Sequence, residues 1–100
     1  MGILTKGGGM GFIEDFLHQN KVYPNIKGYD YFIDAVHQAE SGEKRMVQIY
    51  KNVAEKHGTT SIKVERAIRY LIQTRINGEA IKHHLNNGEV ILSLARYKKI

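Results

Sequence analysis

The spacing of three residues, Ala54, Gly58 and Val64, is the strongest constraint that this sequence places on its fold. Two helices that cross at a steep angle need a small residue at their contact and a turn of only three or four residues. Ala54 provides the small residue, Gly58 permits the positive φ that ends a helix, and Val64 faces back from the second helix. Apolar residues recur at helical spacing on both sides of the turn. This pattern predicts a helix-turn-helix over residues 50–73.

The second helix of this motif has two faces of different chemistry. At about 100° per residue, its apolar side chains gather on one side, and these are Val64, Ala67, Ile68, Leu71 and Ile72. The opposite side carries Ile62, Glu65, Arg66, Arg69 and Gln73. Because an apolar face docks a helix on a core, we expect the opposite face to be left for a partner.

The remaining periodicity predicts an all-α fold, a small helical bundle. Apolar spacing predicts helices over residues 12–19, 29–40, 44–57, 61–76 and 79–85. The third is compatible with one helix or with two that bend near Ile49. In the turn at residues 58–60 we expect a Thr hydroxyl to cap the next helix. Residues 89–100 mix β-formers with charge and suit either a helix or an extended segment, and we expect a short extended segment.

The chain is predicted to hold one domain. Residues 1–11 include a run of glycines, which predicts a flexible leader, and residues 12–100 form the domain. The leader contains GGGMG but lacks the Gly-Lys-Ser/Thr that a phosphate-binding loop requires. A nucleotide site is therefore not expected there.

Positive charge is concentrated in the second half of the chain. Residues 1–50 carry five Lys/Arg against six Asp/Glu, a net charge of −1. Residues 51–100 carry ten against four, a net charge of +6. The excess lies in the half that contains the two-faced helix, which favours a polyanionic partner. A solvated basic surface is the alternative from charge alone.

Several classes of function lack support in the sequence. The chain has no cysteine, so a thiolate metal site and a disulfide framework are excluded. Among its histidines only His83 and His84 are adjacent, and neighbours on a helix point about 100° apart, which is poor for joint ligation. No arrangement of residues suggests catalysis, so we expect no enzyme, metal or cofactor. No apolar run approaches the ~20 residues of a membrane span, and a cytoplasmic, nucleoid-associated location is expected.

The exposed face of the second helix has side chains suited to base edges in a DNA major groove. Arg donates two hydrogen bonds to guanine O6 and N7, and Glu accepts from cytosine N4. We therefore predict that Arg66 and Arg69 bind guanine, while Glu65 either binds cytosine or orients one of the arginines. Gln73, one turn further, is expected to contact a base or a phosphate. The residues predicted to contact the DNA backbone flank the motif, and they are Lys51, Lys56, Thr60 and Lys63.

Two segments also resemble a known family. IKGYDYFIDAV at residues 26–36 and VAEKHGTTSIKVERAIRYLI at residues 53–72 resemble the DNA-binding effector domain of the sporulation master response regulator of Firmicutes. The likeness covers about residues 22–76, and a weaker likeness continues through residues 85–98. It implies an all-helical bundle whose helix-turn-helix recognises a short box of double-stranded DNA. It also implies base-reading roles for Glu65, Arg66 and Arg69, and a basic position near the backbone for Lys63.

This chain is expected to lack several segments of that family, which leaves more than one function open. We expect no receiver domain before this domain, no final family helix after Lys98, and no loop for RNA polymerase. The expected function is a sequence-specific transcriptional regulator that binds double-stranded DNA as a homo-oligomer or in tandem. A plasmid or phage adaptor that binds a centromere or an origin is the first alternative. A protein-interaction module with the same fold is the second.

Overall fold

The computed structural model of the chain describes residues 11–76 and 87–99. These residues form five helices and contain no strand, which confirms the all-α fold class. The helices are α1 (Phe12–Gln19), α2 (Tyr29–Glu40), α3 (Met46–His57), α4 (Ser61–Leu71) with a π-helical extension (Ile72–Ile76), and α5 (Asn87–Lys99). The boundaries predicted from periodicity agree closely, and α3 is one helix rather than two. The helix predicted over residues 79–85 and most of the predicted leader lie outside the described residues.

Helix α2 is the centre of the bundle. It packs against each of the four other helices, most extensively against α5 and α3. Its inward residues are fully buried because they recur at helical spacing, and they are Phe32, Ala35, Val36 and Ala39. The small alanines let neighbouring helices approach closely. No polar or charged residue is buried among those described, so the core between the helices is apolar.

The C-terminal segment corrects one expectation. Residues 89–100 were expected to be extended, and this was wrong, because Asn87–Lys99 is a helix. Val90, Ile91, Leu94 and Ala95 are buried on one face that packs against α2. Their spacing of one, three and one residues matches an α-helical face, and burial of that face outweighs the β-propensity of Val90 and Ile91.

The turn that follows α1 contains a lysine, Lys21, in a conformation that favours glycine. Lys21 has a φ of 65° and is the one non-glycine residue with positive φ among those described. The Val22 N–H donates to the Leu17 carbonyl at 2.9 Å and the Lys21 N–H to the His18 carbonyl at 3.1 Å. This pair of hydrogen bonds is a Schellman motif. It folds Val22 back into the core, where it is fully buried.

Replacing Lys21 with glycine is therefore expected to stabilise the domain. A left-handed conformation costs a non-glycine residue about 1–2 kcal/mol, and the greater unfolded-state freedom of glycine offsets part of that gain. We expect an increase of about 0.5–1 kcal/mol in the free energy of unfolding, measured by urea denaturation. Lys51→Gly, on the exposed side of α3, is the control and should destabilise by about 1 kcal/mol. A lower stability for Lys21→Gly would contradict this account of the turn.

Candidate nucleic-acid interface

The turn between α3 and α4 has the predicted geometry. Gly58 has a φ of 65°, and the Thr59 N–H donates to the Ala54 carbonyl at 3.0 Å. Thr60 precedes α4 in an extended conformation, and its hydroxyl accepts a hydrogen bond from the Lys63 N–H at 3.2 Å. These bonds satisfy one of the free backbone carbonyls at the end of α3 and one of the free N–H groups at the start of α4. They also fix the angle at which α4 leaves α3.

Helix α4 is docked with its apolar face inward. Val64, Ile68 and Leu71 are fully buried and Ile72 nearly so, as the periodicity predicted. The opposite face is open to solvent along its length. Its members are Ile62, Arg66, Arg69 and Gln73, which are exposed, and Glu65, which is half-buried.

The glycine directly before α2 determines how closely α4 approaches the bundle. Gly28, directly before α2, is buried and has a φ of 99°. A Cβ built on Gly28 would lie 2.9 Å from the carbonyl oxygen of Ala67. The N-terminus of α2 therefore packs directly on the backbone of α4, and any side chain at this position would displace α4.

Two of the predicted base-contacting residues are paired with each other. Arg69 Nη1 lies 3.4 Å from Glu65 Oε2, an ion pair between residues one helical turn apart. Of the two roles left open for Glu65, this contact favours the orientation of an arginine. Arg66 makes no side-chain hydrogen bond or ion pair with any residue that the structure describes, so none of these residues occupies its guanidinium donors.

Tyr50 on α3 lies beside this ion pair. Burial of its ring, together with the negative charge of Glu65, raises the pKa of Tyr50 to about 12, while the charge of Arg69 opposes the shift. The phenol therefore stays neutral at physiological pH. Tyr50 and Glu65 line the same open cleft between α3 and α4.

The predicted backbone-contacting residues differ in their surroundings. Lys51 and Lys63 are exposed, and neither forms an ion pair within the described part of the chain. Lys56 Nζ instead lies 3.0 Å from Asp34 Oδ1 on α2. The Thr60 hydroxyl already accepts the capping bond at the start of α4, so only its O–H remains available to a phosphate.

Asp34 connects the end of α3 to α2. It accepts hydrogen bonds from Lys56 Nζ at 3.0 Å and from His57 Nε2 at 2.6 Å. Partial burial acts to raise the pKa of Asp34, but the hydrogen bonds and charges of His57 and Lys56 outweigh it, so the pKa lies below its ordinary value of 3.8. The ring of Tyr31 packs edge-on against His57 at 5.0 Å. These contacts hold the first helix of the motif on the bundle.

Asp34→Asn is expected to lower the free energy of unfolding at neutral pH. It should also make that free energy less sensitive to a fall in pH. Because folding depresses the pKa of Asp34, its contribution is present above pH 3.8 and is lost as the pH falls through the lower folded-state value. We expect a loss of about 1 kcal/mol at pH 7 that shrinks towards pH 3, measured by urea unfolding at both pH values. Glu55→Gln, which removes an exposed carboxylate from α3, should leave the pH profile parallel to that of the wild type. An equal loss at both pH values for Asp34→Asn would contradict the ion-pair account.

Sequence reasoning missed two residues of this surface. Lys27 and Tyr70 line an open groove of about 500 Å³ together with Lys63, Arg66 and Ala67. Lys27 reaches the groove because the neighbouring Gly28 brings the start of α2 against α4. The position of Lys27 next to Gly28 in the IKGY segment is the one sequence feature that indicates its role. Because Lys27 is far from α4 along the chain, sequence patterns do not show that the two lie close together.

Comparison with known families agrees with this geometry. The model of the family described as "Sporulation initiation factor Spo0A C terminal" matches residues 13–97. The chain belongs to this family. No solved structure matches the chain. The match includes most of α5 and joins residues 22–76, over which the resemblance is strong, to the region of weaker likeness at residues 85–98.

The Spo0A C-terminal family is one of sequence-specific DNA-binding domains of transcriptional regulators, and it is not an enzyme family. The family therefore supports double-stranded DNA as the partner. Within the described residues no group of His, Asp and Glu has the arrangement to hold a metal ion. His83 and His84 lie outside those residues. No helix that the structure describes is long and apolar enough to span a bilayer.

Proposed function

We propose that this domain regulates transcription by binding specific sequences in double-stranded DNA, with α4 in the major groove. The observation that carries the proposal is the exposed face of α4. Arg66 is exposed there and pairs with none of the residues that the structure describes, and it lies next to Glu65, which forms an ion pair with Arg69. In helix-turn-helix proteins the second helix of the motif enters the major groove and contacts base edges. The family gives the same class of activity.

The two arginines are proposed to differ in what they contribute. Arg66 is free to adopt the bidentate geometry that guanine O6 and N7 require. Arg69 is restrained by Glu65 at 3.4 Å, so less side-chain entropy is lost when it binds a base. Glu65 is thereby proposed to act as a positioning residue, and the alternative proposal for it is acceptance of a hydrogen bond from a cytosine amino group. Gln73 is proposed to contact a base or phosphate beyond the end of α4.

The surrounding lysines are proposed to bind phosphates. Lys63 and Lys27 line the groove on one flank of α4, and Lys51 is exposed on α3. Contacts of this kind fix the register of a protein on DNA without specifying sequence. We rank Lys56 below Lys51 and Lys63, because a phosphate would compete with Asp34 for its ammonium group.

A single domain of this size offers a small surface to DNA, on the order of 600–1,000 Å². Useful affinity therefore requires two copies on adjacent sites, and we propose binding as a homo-oligomer or in tandem. Half-sites would then be spaced by about one helical turn of DNA, roughly 10 base pairs.

Selection of bound fragments from a random pool of duplex DNA tests the proposal. We expect enrichment of one short guanine-containing sequence, and fragments with two copies at a fixed spacing. The Arg66→Ala variant, selected in parallel, should lose the preference at one guanine. Absence of any enriched sequence, together with no binding at low salt, would contradict the proposal and favour a protein partner for the same face.

A further inference from the structure

Two of the large apolar side chains on α3 and α4 that are exposed to solvent lie near the start of their helices. Val47, in the first turn of α3, is 81% exposed, and Ile62, in the first turn of α4, is 62% exposed. Isolated exposed apolar residues are common on proteins. These two, however, line the same open cleft of about 230 Å³, which Tyr50, Ser61 and Glu65 complete.

The cleft is continuous with the proposed base-reading face. Ile62 precedes Glu65, Arg66 and Arg69 by three, four and seven residues, which places all four on one side of α4. Glu65 belongs to both the cleft and the ion pair with Arg69. A ligand that covers Arg66 and Glu65 therefore covers Ile62 as well.

The charged residues around the cleft indicate which class of ligand it binds. Ile62 shares its helix with the cations of Lys63, Arg66 and Arg69, which suits a polyanion better than an apolar protein surface. On a DNA major groove the exposed apolar group of the base edges is the C5-methyl of thymine, which apolar side chains contact. The N-terminal residues of a recognition helix are those that reach base edges, and Ile62 is the second residue of α4.

We propose that Ile62, in the cleft that Val47 also lines, contacts the C5-methyl group of one thymine in the bound DNA. Ile62 is then a specificity-determining residue that complements the arginines. This inference rests on the proposed function, since it requires α4 to lie in the major groove. It adds a requirement for thymine that hydrogen bonding by Arg66 and Arg69 does not supply.

Deoxyuridine substitution isolates this contact, because uracil keeps the base pairing of thymine and lacks only the methyl group. Each thymine of the selected site is replaced in turn, and affinity is measured by fluorescence anisotropy. We expect one replacement to weaken binding by the wild-type protein about fourfold, the fold change that corresponds to about 0.8 kcal/mol for one buried methyl group. The Ile62→Ala variant should bind the thymine and uracil duplexes equally. Tyr23→Ala, which truncates an exposed aromatic residue outside the motif, should show the full wild-type loss.

Two results would overturn the inference. One is that no thymine replacement changes affinity, and the other is that Ile62→Ala shows the same loss as the wild type. If either occurs while the selected site is still preferred over scrambled DNA, the proposed function stands and the role of Ile62 is wrong. If the protein prefers no sequence at all, the proposed function fails, and the inference fails with it.

Discussion

Replacing Arg66 with alanine is expected to weaken binding to the preferred site by about 5- to 150-fold, since a good arginine–guanine pair contributes about 1–3 kcal/mol of discrimination. Binding to a scrambled duplex should change little, because non-specific affinity comes mainly from phosphate contacts. Arg66 is exposed and free of ion pairs within the described residues, so its removal should not disturb the fold. Fluorescence anisotropy titrations of both duplexes at one salt concentration measure the two affinities.

The control for this experiment must remove the same charge from a different surface. Arg96 is exposed on α5, which packs on α2 outside the helix-turn-helix. Arg96→Ala should therefore alter both affinities equally and only slightly. Similar losses on the preferred and scrambled duplexes for Arg66→Ala would show that Arg66 acts as a phosphate contact rather than a base contact.

Among the substitutions considered for stability, Gly28→Ala is expected to lower the free energy of unfolding the most. Its φ of 99° costs an L-residue about 1–2 kcal/mol. The added Cβ would also lie 2.9 Å from the backbone oxygen of Ala67, a contact that a rotamer change cannot relieve. Together these effects predict a loss of roughly 2–4 kcal/mol, seen as a fall of about 10–20 °C in Tm. Thermal unfolding followed by circular dichroism measures it.

Gly42 offers a matched control for the contact. It has a φ of 118°, but a Cβ built there meets nothing within 4 Å. Gly42→Ala should therefore carry only the conformational cost, about 1–2 kcal/mol. The difference between the two variants measures the packing of Gly28 on α4. Equal losses of stability in the two variants would contradict the close approach of Gly28 to Ala67. Because the added side chain displaces α4, Gly28→Ala should also bind DNA more weakly at temperatures below its Tm.

The features predicted correctly from sequence are those that depend on local periodicity. The two faces of α4 follow from about 100° per residue, and Val64 and Ile68 are buried as that phase requires. The turn was predictable because Gly58 and Thr60 serve functions that few other residues perform at those positions. Both signals lie within a short stretch of chain.

The features that sequence did not predict depend on contacts between distant segments. The helical state of residues 89–99 was missed because Val90 and Ile91 favour strands locally, and packing on α2 decides the outcome. The groove lined by Lys27 and Lys63 depends on the approach of Gly28 to Ala67, which no local pattern shows. Glu65 had two possible roles from sequence, and the side-chain geometry of Arg69 favours one of them.

Recognition of a guanine by Arg66 in the major groove can be tested with duplexes that contain 7-deazaguanine. This base lacks the N7 acceptor of guanine but retains its pairing and its minor-groove edge. At one guanine of the selected site, the substitution should weaken binding by the wild-type protein and leave binding by Arg66→Ala unchanged. Equal affinity of the wild-type protein for the natural and substituted duplexes at every guanine would contradict recognition of guanine N7 by Arg66.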